Sequence, residues 1–134
     1  MSIYTDKIHH FTEEVWNKKN FDIYEQTISP NFTYHDPISP TVNNKNDYKS
    51  FVQEIQTQFP NMKYKIIDSI SENNKVVILY SWMGTPVVEV AGIKPSGQTV
   101  EHKGVAIYYF EDDMIEKLWD VWDFYTVLKK LGAI

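Results

Sequence analysis

The dominant spacing at which apolar residues recur changes at Lys63. Before that point large apolar side chains return every three or four residues. Ile8, Phe11, Val15 and Trp16 lead up to Asn20, and Phe21, Tyr24 and Ile28 continue to Pro30, which predicts two helices. Residues 32–36 read as a first strand, stopped by Pro37. A third helix is expected from an N-cap at Asn46 to Pro60, with Tyr48, Phe51, Val52, Ile55 and Phe59 on one face. From Lys63 the period is two. It predicts strands over residues 63–71, 75–85, 87–91, 99–110 and 114–122, with Glu72-Asn73-Asn74 as the first turn. A short last helix follows, with Asp123 as its N-cap, Phe124, Val127, Leu128 and Leu131 as its apolar face and Gly132 as its stop. Helices segregated from a run of antiparallel strands imply an α+β domain, its curved antiparallel sheet wrapped around the helices.

Size and charge then narrow what such a domain can do. The 134 residues make one domain over 1–134, with no internal repeat. Hydrophobic residues at 43% and aromatics at 15% leave bulky groups to line a cavity. A formal charge of −5 without a long basic run excludes the electrostatic footprint of a nucleic-acid binder. With no cysteine, thiolate nucleophiles and thiolate-held metals are excluded as well. All 13 basic residues are lysines, so the two-pronged arginine clamp for phosphate or carboxylate is missing. The N-terminus enters an amphipathic pattern at once and no stretch has membrane-spanning length; a cytoplasmic protein without membrane association is expected.

The residue that stands out chemically is Asp120, in a strand with Leu118, Trp119, Val121 and Trp122 around it. Alternation places Glu116, Leu118, Asp120 and Trp122 on one face and Ile115, Lys117, Trp119 and Val121 on the other. Neither face is polar near Asp120, so a charge there is either satisfied by neighbouring donors or retained for proton transfer. Asp36 is a second candidate, though Asp before Pro also starts ordinary turns. Two aspartates on one cavity would raise at least one pKa and supply an acid and a base near neutral pH. His102 shares a strand face with Gly104, Ala106 and Tyr108, and those small residues leave room for a ligand above the sheet, unless Gly104 marks a bulge. Trp16, Tyr34, Trp82, Tyr108 and Trp122, together with Gly104 and Ala106, are candidates to wall a pocket for a hydrophobic small molecule. His35 points away from Asp36 toward a surface or interface, His9 and His10 toward solvent, and Asp123 is explained as a helix cap. With no His-x-His or His-Glu-x-x-His spacing no metal is expected, and no cofactor either.

Gly84-Thr85 followed by residues 92–100, and residues 115–123 running into Leu128-Lys129-Lys130-Leu131-Gly132, resemble the SnoaL-like polyketide cyclases of the nuclear transport factor 2-like superfamily. The resemblance implies a cone-shaped α+β barrel with a deep pocket, usually dimeric through the outer sheet face. It also implies an acid/base aspartate just before the one opening the terminal helix, the position of Asp120. Related ketosteroid isomerases carry their base in an Asp-Pro at the end of the first strand, similar to Asp36-Pro37. The chain departs from these relatives too: Ala106 stands where cyclases can place a histidine, Pro86 follows Gly84-Thr85, and Thr12 falls near the isomerases' oxyanion tyrosine. The expectation is therefore a cofactor-independent enzyme acting on a hydrophobic carbonyl compound by aldol-type cyclisation or isomerisation, with Asp120, Asp36 and His102 as catalytic residues. Its alternatives are a non-catalytic pocket for a small apolar ligand and a dimeric interaction domain.

Overall fold

A computed structural model describes residues 2–134. Helix α1 (Ile3–Phe11) starts where the Ser2 side chain accepts a hydrogen bond from Thr5 N, and it runs on into a wider π-helical stretch, Thr12–Asn17. The wider winding redirects backbone carbonyls, and Gln56 meets two of them: its Nε2 donates to Val15 O at 2.8 Å and Trp16 O at 3.0 Å. Asn17 then pins the helix end to the sheet, accepting from Tyr64 N at 2.8 Å and donating to Tyr64 O at 2.9 Å. After α2 (Phe21–Thr27) the chain turns directly into β1 (Ile28–His35), so Ile28 begins a strand instead of continuing the helix to Pro30. Helix α3 (Lys45–Gln58) is capped by Asn44, two residues before the expected Asn46; its side chain accepts from Asp47 N at 2.9 Å.

Strands β2 (Lys63–Glu72), β3 (Lys75–Gly84), β4 (Val100–Glu111) and β5 (Met114–Trp122) form the antiparallel meander that the period of two predicts. The full order is β1-β5-β4-β3-β2. Because β1 pairs with β5 in parallel, the sheet is mixed and not wholly antiparallel, and its curve is not closed into a complete barrel. Residues 87–91 form no strand. Val90 and Ile93 make a single bridge around Ala91 and Gly92, whose positive φ values of 51° and 78° turn the chain back on itself.

One irregularity decides which side chains of β5 face inward. Tyr109 pairs with Lys117 but Phe110 with Ile115, leaving Glu116 as an extra, bulged residue. The bulge brings Ile115, expected on the outer face, into the core beside Leu118. Beyond it, Leu118, Asp120 and Trp122 face the helices, while Trp119 and Val121 stand on the outer face. There His35 stacks on Trp119 with ring centres 4.6 Å apart. Helix α4 (Phe124–Leu131) begins at Asp123, which accepts from Thr126 N at 3.0 Å and Thr126 Oγ1 at 2.6 Å, and it stops at Gly132 with φ of 85°.

Candidate functional site

Between the concave sheet, the first helix, α3, the 86–99 loop and α4 lies a cavity of about 330 Å³. Its wall is aromatic: Trp16, Phe51, Phe59, Tyr64, Tyr80, Trp82, Trp122 and Phe124, closed by Val90 and Ala91 of the loop. Among the described residues, Asp120 is the one carboxylate that lines it, and no lysine does.

Asp120 is held there by two tyrosines. Tyr80 Oη donates to Oδ1 at 2.8 Å from β3, and Tyr34 Oη lies 3.2 Å from Oδ2 on the β1 side. Part of the residue is accessible from the cavity, yet its carboxyl is desolvated by the surrounding rings. That burial lifts its pKa from 3.8 to about 7, with the nearby Asp36 charge adding to the rise and the two tyrosine hydroxyls opposing it.

Asp36 is close to Asp120 but off the cavity wall. Its Oδ1 accepts from Ile38 N at 2.9 Å, the turn bond expected of Asp before Pro. Its Oδ2 takes Trp122 Nε1 at 2.9 Å and Tyr34 Oη at 3.0 Å. Tyr34 therefore stands between two carboxylates with one hydrogen to give. When that hydrogen goes to Asp36, the contact with Asp120 is favourable only if Asp120 carries a proton and donates it to Tyr34 Oη. A charged Asp120 would instead set two lone pairs against each other. The geometry thus agrees with the raised titration of Asp120 and makes Asp36 the residue that orients Tyr34 and Trp122.

His102 does lie on the wall, sandwiched between Trp82 and Trp122 at centroid distances of 5.3 and 5.2 Å. Burial pushes its pKa below the usual value, so it is a neutral imidazole at pH 7. Its Nδ1 makes only a long 3.4 Å contact with Lys103 O.

Of the pocket candidates, Trp16, Trp82 and Trp122 line the cavity, whereas Tyr34, Gly104, Ala106 and Tyr108 do not. Tyr34 sits behind Asp120, and Tyr108 and Ala106 are core residues at 1% exposure. The space expected above Gly104 is filled by the Tyr80 ring: a Cβ on Gly104 would come within 2.4 Å of the Tyr80 hydroxyl. Tyr80 is the residue that the sequence reading missed. Alternation alone put it on the face of Trp82, and only its pairing in register with Gly104 sets it apart. Among the described residues no group of three or more His, Asp or Glu side chains is placed to hold a metal ion.

The family model described as SnoaL-like polyketide cyclase matches residues 6–131. A solved structure of a protein designated a polyketide cyclase from Acidithiobacillus ferrooxidans is 26% identical, with a TM-score of 0.88 and 99% of each chain covered. IdmH from Streptomyces antibioticus, also designated a polyketide cyclase, is 22% identical at a TM-score of 0.88, covering 98% of this chain and 99% of its own. A SnoaL-like polyketide cyclase from Agrobacterium tumefaciens has the same fold at 16% identity and a TM-score of 0.81, covering 98% of this chain and 100% of its own. No curated protein matches the chain.

Proposed function

The chain belongs to the SnoaL-like polyketide cyclase family of the nuclear transport factor 2-like superfamily, and we propose that it moves a proton at the carbon beside a carbonyl group of a hydrophobic small molecule. Asp120 is the proton carrier. The observation that carries this reading is a lone carboxylate on an aromatic cavity wall whose titration is drawn up to about 7. A group at that value takes a proton as a base and returns it as an acid at neutral pH. The enolate formed in between either attacks a second carbonyl of the same molecule, closing a ring, or is reprotonated at another carbon, shifting a double bond. These side chains suffice without a cofactor. His102, neutral and stacked, is available to a polar group of the ligand, and Asp36 acts through Tyr34 as a positioning residue.

One observation favours a second reading, a pocket that binds without catalysis. Both Asp120 oxygens already have tyrosine partners, as in a satisfied structural carboxylate. Deuterium uptake at the acidic carbons of 2-tetralone, a neutral bicyclic ketone, separates the two by NMR. The enzymatic reading expects uptake above the buffer rate, and a loss of about 100-fold or more in Asp120→Asn with the affinity for the ketone kept. Uptake at the buffer rate, or equal in the variant, favours the binding pocket. We also propose that a second copy of the chain covers the outer sheet face, where Leu79, Val105, Trp119 and Val121 are exposed together.

A further inference from the structure

Proton abstraction beside a carbonyl leaves charge on the oxygen, and a site that stabilises the enolate needs a hydrogen-bond donor within reach of that oxygen. Thr12, near the isomerases' oxyanion tyrosine in sequence, is buried off the cavity wall. Of the donors bonded around Asp120, Trp122 Nε1 is given to Asp36, and Tyr34, off the wall, stands between Asp36 and Asp120; Trp16 Nε1 and His102 are on the wall without a firm partner but make no hydrogen bond to Asp120. Tyr80 combines a place on the wall with a hydroxyl 2.8 Å from the proton carrier.

We infer that Tyr80 is a second catalytic residue, donating to the substrate oxygen that gains charge, and that Gly104 is the positioning residue that lets it do so. The inference rests on the proton-transfer reading above. In the resting site the Tyr80 hydrogen is given to the Asp120 carboxylate. When the C–H bond of the substrate breaks, its proton goes to Asp120 and its electron pair enters the carbonyl system. The neutral acid gives its one proton to Tyr34 Oη, and its other oxygen, now a carbonyl, is a poorer acceptor than the carboxylate was, so the Tyr80 hydrogen is free to turn to the enolate oxygen. Reprotonation at carbon by Asp120 reverses each move, and no other reactant is needed. Abstraction and stabilisation are thus coupled through one hydrogen bond. Tyr80 remains a donor throughout, because burial and the Asp120 charge hold its pKa far above the usual tyrosine value.

The ring is placed from both sides. Tyr64 stacks on one face with centroids 4.5 Å apart. On the other, Gly104 pairs with Tyr80 across the strands, and a Cβ there would meet Oη at 2.4 Å and Cζ at 2.5 Å. Gly104→Ala therefore displaces the hydroxyl while leaving Tyr80 and Asp120 chemically unchanged.

The test uses 2-tetralone for turnover and 2-naphthol, which resembles its enol, for binding, with naphthalene as the partner lacking oxygen. Tyr80→Phe should slow deuterium uptake by about 100-fold, mainly in kcat. It should also erase a preference for 2-naphthol over naphthalene of about fivefold in the wild type, and Gly104→Ala should reproduce both losses. Asp120→Asn separates the two readings, since it should lose uptake but keep the naphthol preference. A wild type without uptake whose naphthol preference still depends on Tyr80 would end the proton-transfer reading and leave the donor in place. Wild-type uptake retained in Tyr80→Phe within about threefold, a naphthol preference that survives the change, or a wild type that binds naphthol no better than naphthalene would overturn the assignment.

Discussion

With the Asp120 carboxyl drawn up to about 7 from an ordinary 3.8, the folded protein resists an ionisation that the unfolded chain makes freely. Below pH 4 both states hold the proton and there is no penalty. Between pH 4 and 7 only the unfolded chain releases it, so stability falls as pH rises. Above 7 both are charged, and the loss is complete at on the order of 4 kcal/mol. Asp120→Asn has no such proton to lose. Urea unfolding should therefore show the variant gaining on the wild type from pH 4 to 7 and holding its lead above; parallel profiles would contradict the burial argument. Asp120 could be suspected from sequence because a carboxylate amid Leu118, Trp119, Val121 and Trp122 has a cost that needs a reason. Asp36 was legible as a neighbour but not as an off-wall residue, since the bond to Ile38 N that turns its carboxyl away belongs to the loop. Tyr80 was one of nine tyrosines, and only the register against Gly104 distinguishes it.

The helices and hairpins follow the apolar spacing closely, and the places where they depart have local causes. Pro30 is accommodated in β1 because β1 is an edge strand, where a missing N–H costs no ladder bond. The parallel pairing of β1 with β5 was not legible, because it joins segments far apart in the chain. Nor was the Glu116 bulge, since alternation alone carries no mark of an extra residue. The π-helical stretch is likewise invisible in spacing, but it leaves a dependence on Gln56. Replacing Gln56 with Leu strands the Trp16 carbonyl and leaves Val15 O with only Lys19 N at 3.2 Å, which should cost about 1–3 kcal/mol in urea unfolding. The exposed Gln53→Ala, on the same helix, should stay within about 0.5 kcal/mol. Equal effects at the two positions would remove the bridging role of Gln56.

At the scale of the whole molecule, the sheet has two apolar faces and the helices cover one. On the other, Trp119 is 42% and Val121 57% exposed, in the strand that carries Asp120. If a second copy covers that face, light scattering at tens of micromolar should give twice the chain mass. Trp119→Lys combined with Val121→Lys should give a monomer with unchanged circular dichroism; a monomeric wild type would contradict the pairing. The inner face makes the site a product of the complete fold, because β3 supplies Tyr80, β1 supplies Tyr34, and helices, loop and sheet together exclude water from the Asp120 carboxyl. Its proton affinity should therefore depend on the assembled chain. An NMR titration of the Asp120 side-chain carbon tests this most directly. The midpoint should lie near 7 in the native protein and near 3.8 in urea; a native midpoint that stays near 4 would contradict Asp120 as the proton carrier.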